Sequence, residues 1–81
     1  MEYYNAVANM AEKYNNKLMQ CLDNHYLIKD ALANEENVRV RQRLEAWLSD
    51  VEYKIGVYKE GHRVFLEEKQ KLEVASLDAV A

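Results

Sequence analysis

The chain has 81 residues and a net charge of −3, and 31% of its residues are charged. A chain of this length forms one small domain, 1–81. Its core gives only marginal stability without a covalent cross-link, a metal or self-association. Two glycines and no proline argue against a β-sandwich or a loop-rich enzyme, and the acidic balance argues against a general nucleic-acid or membrane binder.

Location follows from what the sequence lacks. Cys21 is the single cysteine, which excludes an intrachain disulfide and fits a reducing compartment. No apolar run approaches the roughly 18 residues of a membrane span. Residues 1–5 have neither a basic leader nor an apolar core, so we expect no signal peptide. We expect a cytoplasmic protein, in the host cytoplasm if the gene is viral.

The first predicted helix covers about residues 2–33. Its apolar stripe follows alternating spacings of three and four, a period of about 3.5 residues that a helix keeps when it packs along its whole length against another helix. The stripe consists of Tyr4, Val7, Ala11, Tyr14, Leu18, Cys21, His25, Ile28 and Leu32.

A turn is predicted at about residues 34–36, where the stripe changes phase. Asn34 is the expected N-cap of the second helix, and Glu35 and Glu36 would lie in its first turn, where the helix dipole favours anions. Pairs at i,i+4 are expected between Glu35 and Arg39 and between Arg41 and Glu45. The alternative is one unbroken helix, since no Gly or Pro interrupts the segment.

The second predicted helix covers about residues 37–75, followed by a frayed tail from Ser76 to Ala81. Lys69 is the one charged interruption of its stripe, which consists of Leu44, Leu48, Val51, Ile55, Tyr58, His62, Phe65 and Leu72. The fold class is therefore predicted as all-α, an antiparallel helical hairpin whose second helix is the longer.

The two stripes can be aligned across the predicted turn. If the turn centres between residues 34 and 35, Tyr14 lies opposite Ile55 and Tyr4 lies opposite Phe65. Residues from about Leu66 onward then have no opposite number on the first helix. That overhang is a predicted partner site.

Gly56 and Gly61 fall inside the second helix, where each costs about 1 kcal/mol relative to alanine. They predict a close helix approach, a kink, or an end of the helix near Gly61 with residues 64–80 folding back as a third helix. We favour a continuous helix, because no N-cap residue lies beside Gly61.

Further apolar residues lie off the two seams, and a single hairpin cannot bury them. They are Tyr3, Met10, Met19 and Tyr26 on the first helix, and Val40, Trp47, Tyr53, Val57 and Val64 on the second. A second interface is expected, most simply a homodimeric four-helix bundle. We predict protein partner contacts at Trp47, Tyr53, Val57, Val64, Leu66 and Leu72.

Candidate chemistry is sparse. Cys21 and His25 are four residues apart and could supply two metal ligands, but a site needs more, and His62 is predicted far along the axis. The carboxylate pairs at 35–36 and 67–68 point to different sides of a helix. We predict no catalytic residues, no metal and no cofactor, and we expect both histidines to be seam residues and the thiol to be buried.

Lys29, Arg39, Arg41 and Arg43 form the one basic concentration, and they could contact nucleic acid or an acidic partner. The favoured interpretation is that the arginines neutralise the interleaved Glu35, Glu36 and Glu45. Nucleic-acid binding is therefore possible but not favoured.

In outline, such a hairpin resembles the plasmid copy-control hairpins that dimerise and bind RNA loops, the small hairpin cochaperones, and the needle subunits of type III secretion. The resemblance is one of architecture, and the proline of the needle subunits' turn is absent. The expected function is a non-enzymatic protein–protein interaction module of chaperone, adaptor or inhibitor type. The inhibitor type includes phage-encoded inhibitors of bacterial machines. The alternatives are a nucleic-acid-binding hairpin and a structural subunit of a helical assembly such as a secretion apparatus.

Overall fold

Two long helices make up the fold. The computed structural model describes residues 2–80, with side chains described through Leu77. Helix α1 runs from Glu2 to Asn34 and helix α2 from Val38 to Val80. They pack antiparallel in a rod that measures 64 × 15 × 15 Å. The predicted all-α helical hairpin is confirmed, and the alternative of one unbroken helix is wrong.

The core lies along the two predicted stripes. Its buried residues are Val7, Ala11, Cys21, Ile28 and Val51, and all of the remaining stripe positions are half-buried. Ile28, at 1% exposure, is the most deeply buried side chain described. The 3.5-residue pattern therefore located the contact face of both helices, because only side chains on that repeat stay turned toward a partner helix.

The turn is built differently from the prediction. Asn37, not Asn34, caps α2, since its Oδ1 accepts hydrogen bonds from the backbone N–H groups of Arg39 and Val40 at 3.0 and 3.2 Å. Asn34 still belongs to α1, and its Nδ2 donates to the Asp30 carbonyl at 3.1 Å. The connection is therefore residues 35–37, and its midpoint lies later than expected.

Glu35 and Arg41 hold this connection together. The Glu35 carboxylate accepts from the Asn37 N–H at 3.0 Å, and the expected Glu35–Arg39 pair is not among the ion pairs of the described residues. Arg41 Nη1 donates to the carbonyls of Leu32 at 2.7 Å and Glu35 at 2.9 Å, which satisfies acceptors left free at the end of α1. The expected Arg41–Glu45 ion pair is present at 3.9 Å.

The predicted register is wrong by about one heptad. Tyr14 does not lie opposite Ile55; its ring stacks on Phe65, with centroids 5.7 Å apart, and contacts Tyr58 at 6.2 Å. The Tyr14 ring lies over Gly61, between Tyr58 and Phe65, and a Cβ added to Gly61 would come within 2.7 Å of the ring. Tyr14 is thus a knob in a hole of α2 that glycine makes deep enough.

Gly61 therefore marks a close approach, one of the predicted roles, and the fold-back of residues 64–80 as a third helix is wrong. Helix α2 continues through both glycines, and neither has a positive φ. Nothing lies within 4 Å of a Cβ built on Gly56, so packing in the hairpin gives no reason for that glycine.

The predicted fraying of the tail stays a prediction; the helix itself reaches Val80, and Ala81 lies outside the described residues.

Neither helix, over the described range 2–80, is long and apolar enough to cross a membrane.

Candidate protein interaction surface

Many large apolar side chains stay exposed on this narrow rod. Among the described residues they are Tyr3, Met19, Leu22, Tyr26, Leu27, Val38, Val40, Trp47, Tyr53, Val57, Val64, Val74 and Leu77. Single exposed apolar residues are ordinary on protein surfaces, but residues that share one helix face form a patch that can bind a partner. The helical spacing of these residues sorts them into distinct surfaces.

The first surface is on α2 and consists of Tyr53, Val57 and Val64, which we call the α2 stripe. Spacings of four and seven residues place the three side chains on one helix face, and their exposed fractions are 73%, 44% and 46%. Glu60 shares that face and is paired with Arg63. The α2 stripe is thus an apolar face with one charged residue that is already neutralised.

Trp47 lies apart from the α2 stripe, in a shallow groove between the helices. The groove is polar along its rim, where Lys54 pairs with Asp50 at 3.0 Å, and Lys17 lies 5.5 Å from the centre of the Tyr58 ring. Trp47 remains 49% exposed there. A half-exposed indole suits a peripheral contact.

Leu66 and Leu72 are not part of an overhang. Both are half-buried, because the heptad shift brings α2 further along α1 than predicted. Leu66 lines a depression against α1 together with His62 and Lys69. Leu72 lines a cleft of about 660 Å³ at the open end of the hairpin, with Tyr3, Tyr4, Asn5, Glu73, Ser76 and Leu77. The idea that the chain from Leu66 onward lacks an opposite number is therefore wrong.

The second surface is on α1 and consists of Met19, Leu22 and Tyr26, which we call the α1 stripe. Their exposed fractions are 52%, 42% and 72%, and spacings of three and four residues put them on one face. Sequence reasoning had singled out Met19 and Tyr26 but missed Leu22. The spacing of three from Met19 to Leu22 and four from Leu22 to Tyr26 was the signal that could have found it.

The basic residues near the turn have separate roles. Arg41 is occupied by the two carbonyls of the turn and by Glu45. Lys29, Arg39 and Arg43 are exposed and take part in no ion pair among the described residues. The candidate basic patch is thus these three side chains without Arg41.

The altered pKa values arise from pairs on the surface. The Glu68 charge, aided by burial and by the hydrogen bond that the Tyr3 hydroxyl donates at 3.3 Å, raises the pKa of Tyr3. Hydrogen bonding to Asp50 raises the pKa of Lys54. Arg63 donates to Glu60 and Glu67, which raises its own pKa and lowers that of Glu60. The Lys54–Asp50 and Arg63–Glu60 pairs have i,i+4 and i,i+3 spacing, which is typical of pairs that stabilise a helix.

The residues considered as metal ligands do not form a cluster among the described residues. Cys21 is buried in the core with Ile28 and Val51, and His25 Nε2 lies 3.7 Å from Glu52 Oε2. His62 lies in the depression beside Leu66. Within residues 2–77, no three His, Cys, Asp or Glu side chains are grouped so as to hold a metal ion.

The chain was compared with family models, curated proteins and solved structures. None of the three comparisons gave a match.

Proposed function

We propose that the protein is a non-enzymatic interaction module, of chaperone, adaptor or inhibitor type, that binds another protein through exposed helix faces. The observation that carries the proposal is the α2 stripe, where Tyr53, Val57 and Val64 are exposed on a helix whose other face is used in the hairpin core. An exposed apolar helix face is the usual element for pairing with a groove or a helix of a partner.

The chemistry of the stripe supports a protein as the ligand. Tyrosine is enriched at binding hot spots, since it buries a large ring and keeps a polar end for hydrogen bonding. Glu60 is neutralised by Arg63, so burying this face does not leave its carboxylate without a counterion.

The test is capture of partner proteins from the native cell by the wild-type chain and by Tyr53→Glu/Val57→Glu. Because both side chains are exposed, the variant keeps its helical content and loses the partner. Leu27→Glu is the matched control, since it also places a carboxylate at an exposed apolar position, 61% accessible, away from the α2 stripe. Equal capture by the wild type and the Tyr53/Val57 variant contradicts the proposal.

A nucleic-acid-binding hairpin is the second candidate, favoured by one observation. Lys29, Arg39 and Arg43 are exposed without an ion-pair partner among the described residues. Binding through them would weaken steeply as salt increases, because each phosphate contact releases a counterion. Affinity for single-stranded and hairpin RNA that is absent, or that does not change with salt, removes this candidate. A structural subunit, the third possibility, would polymerise at high concentration.

A further inference from the structure

We propose that the α1 stripe, Met19, Leu22 and Tyr26, binds the same stripe of a second copy of this chain in an antiparallel, two-fold symmetric pair. The inference deepens the proposed function, because it also takes an exposed helix face to be an interface. It assigns that face to the second copy and leaves the α2 stripe to the partner protein.

The available area supports a second copy. The hairpin exposes 6377 Å² at a mass of 9.5 kDa. A compact monomer of that mass exposes roughly 5,000 Å². The excess of about 1,300 Å² exceeds the roughly 800 Å² that each partner buries in a stable interface of standard size. The hairpin therefore has enough uncovered surface for a dimer with another face still free.

The pattern of charge along α1 supports the antiparallel direction. The repeat of the α1 stripe continues through Asn15 to Glu12 before Met19 and to Lys29 after Tyr26, with spacings of three and four throughout. Both residues are exposed, and neither takes part in an ion pair among the described residues. The stripe thus has an apolar centre, an anion at one end and a cation at the other.

A two-fold axis between Met19 and Leu22 brings these groups together. Met19 of one copy then faces Leu22 of the other, Tyr26 faces Asn15, and Glu12 faces Lys29 at both ends of the contact. A parallel pair would place Glu12 against Glu12 and Lys29 against Lys29, which is repulsive. Only the antiparallel arrangement is complementary to itself, as an isologous interface requires.

The α2 stripe is a poorer site for a second copy. Glu60 lies on it between Val57 and Val64, and the stripe has no basic residue that could attract this carboxylate from a second copy. The Glu60–Arg63 pair is internal to the chain and offers no complementary charge to a copy. Charge complementarity therefore selects the α1 stripe.

Cysteine cross-linking tests the arrangement directly. In a Cys21→Ser background, Ala8→Cys and Ala33→Cys extend the same repeat by one position at each end, and the axis places residue 8 of one copy opposite residue 33 of the other. A short bismaleimide is expected to join the Ala8→Cys/Ala33→Cys chains into covalent dimers. Within one chain the two positions lie about 38 Å apart along α1, beyond its reach.

The single variants discriminate direction. Ala8→Cys alone and Ala33→Cys alone should stay single chains in the same background. Efficient cross-linking of Ala8→Cys alone would show a parallel pair and overturn the proposal. Absence of cross-linking in the double variant, together with the mass of one chain for the Cys21→Ser protein, would also overturn it.

Charge reversal provides a second readout that leaves the hairpin core untouched. Glu12→Lys should weaken dimerisation by roughly tenfold in sedimentation equilibrium, because two attractive contacts per dimer become repulsive. Adding Lys29→Glu should restore the wild-type dissociation constant. Failure of this restoration overturns the assigned pairing. Partner capture through the α2 stripe is measured separately, so either proposal can fail without the other.

Discussion

The contact between Tyr14 and Gly61 yields the sharpest test of the fold. In an ordinary helix interior, replacing glycine by alanine stabilises by about 1 kcal/mol. At Gly61 the new methyl group would lie 2.7 Å from two atoms of the Tyr14 ring, a distance that requires something to move. The ring is held between Tyr58 and Phe65, so it has little freedom to retreat.

The expected magnitude follows from these opposing effects. Overpacking a fitted site costs about 1–3 kcal/mol, which exceeds or cancels the helix-propensity gain of about 1 kcal/mol. Gly61→Ala should therefore be neutral to roughly 2 kcal/mol less stable than the wild type. Gly56→Ala, with nothing within 4 Å of its new methyl group, should gain about 1 kcal/mol. Gly56 is thus a matched control on the same helix.

Urea unfolding followed by far-UV circular dichroism measures both variants at one protomer concentration, since self-association shifts apparent stability. A Tyr14→Leu background removes the ring, and Gly61→Ala should become stabilising there. If Gly61→Ala stabilises the wild-type protein as much as Gly56→Ala does, the close approach of Tyr14 is refuted.

Three further predictions concern the turn and the surface pairs. Arg41→Met should lower the free energy of unfolding in urea by about 1–2 kcal/mol, because the turn carbonyls lose a charged donor. Arg39→Met, the control, should change it by under about 0.5 kcal/mol. Equal effects of the two substitutions would contradict the role of Arg41. Asn37→Ala should lose about 1 kcal/mol and Asn37→Asp should keep the cap, so equal losses in both would contradict capping. The Arg63 guanidinium lowers the pKa of Glu60 below its usual 4.5, so this pair stabilises the fold at higher pH, and the contribution is lost as pH falls through the lowered pKa. Carboxyl NMR titration should show the pKa of Glu60 rising toward 4.5 in Arg63→Gln, and an unchanged midpoint would contradict the pairing.

The contact faces could be predicted because burial follows the 3.5-residue repeat residue by residue. The register could not, because the repeat is the same in both helices. A shift of α2 by one heptad replaces each seam residue by another seam residue, so Ile55 and His62 are equally acceptable opposite Tyr14 by pattern alone. The choice depends on the fit of one ring over Gly61.

The turn was misplaced for a related reason. Asn34 and Asn37 are equally good N-caps by residue type, and the difference lies in Arg41, whose reach to the Leu32 and Glu35 carbonyls fixes where α1 ends. That reach is a three-dimensional property with no sequence signature. Placing the turn too early also made Leu66 and Leu72 look like an unpaired overhang, which moved the expected partner site away from the exposed stripes.

We propose that the apolar residues left exposed by the hairpin form interfaces. Light scattering of the purified chain over a range of concentrations tests it most directly. The expected mass approaches twice the 9.5 kDa of one chain, and Met19→Glu/Leu22→Glu is expected to return to the mass of one chain with its helical content unchanged. A wild-type protein that keeps the mass of one chain at every concentration, and retains no partner from its native cell, would contradict the account.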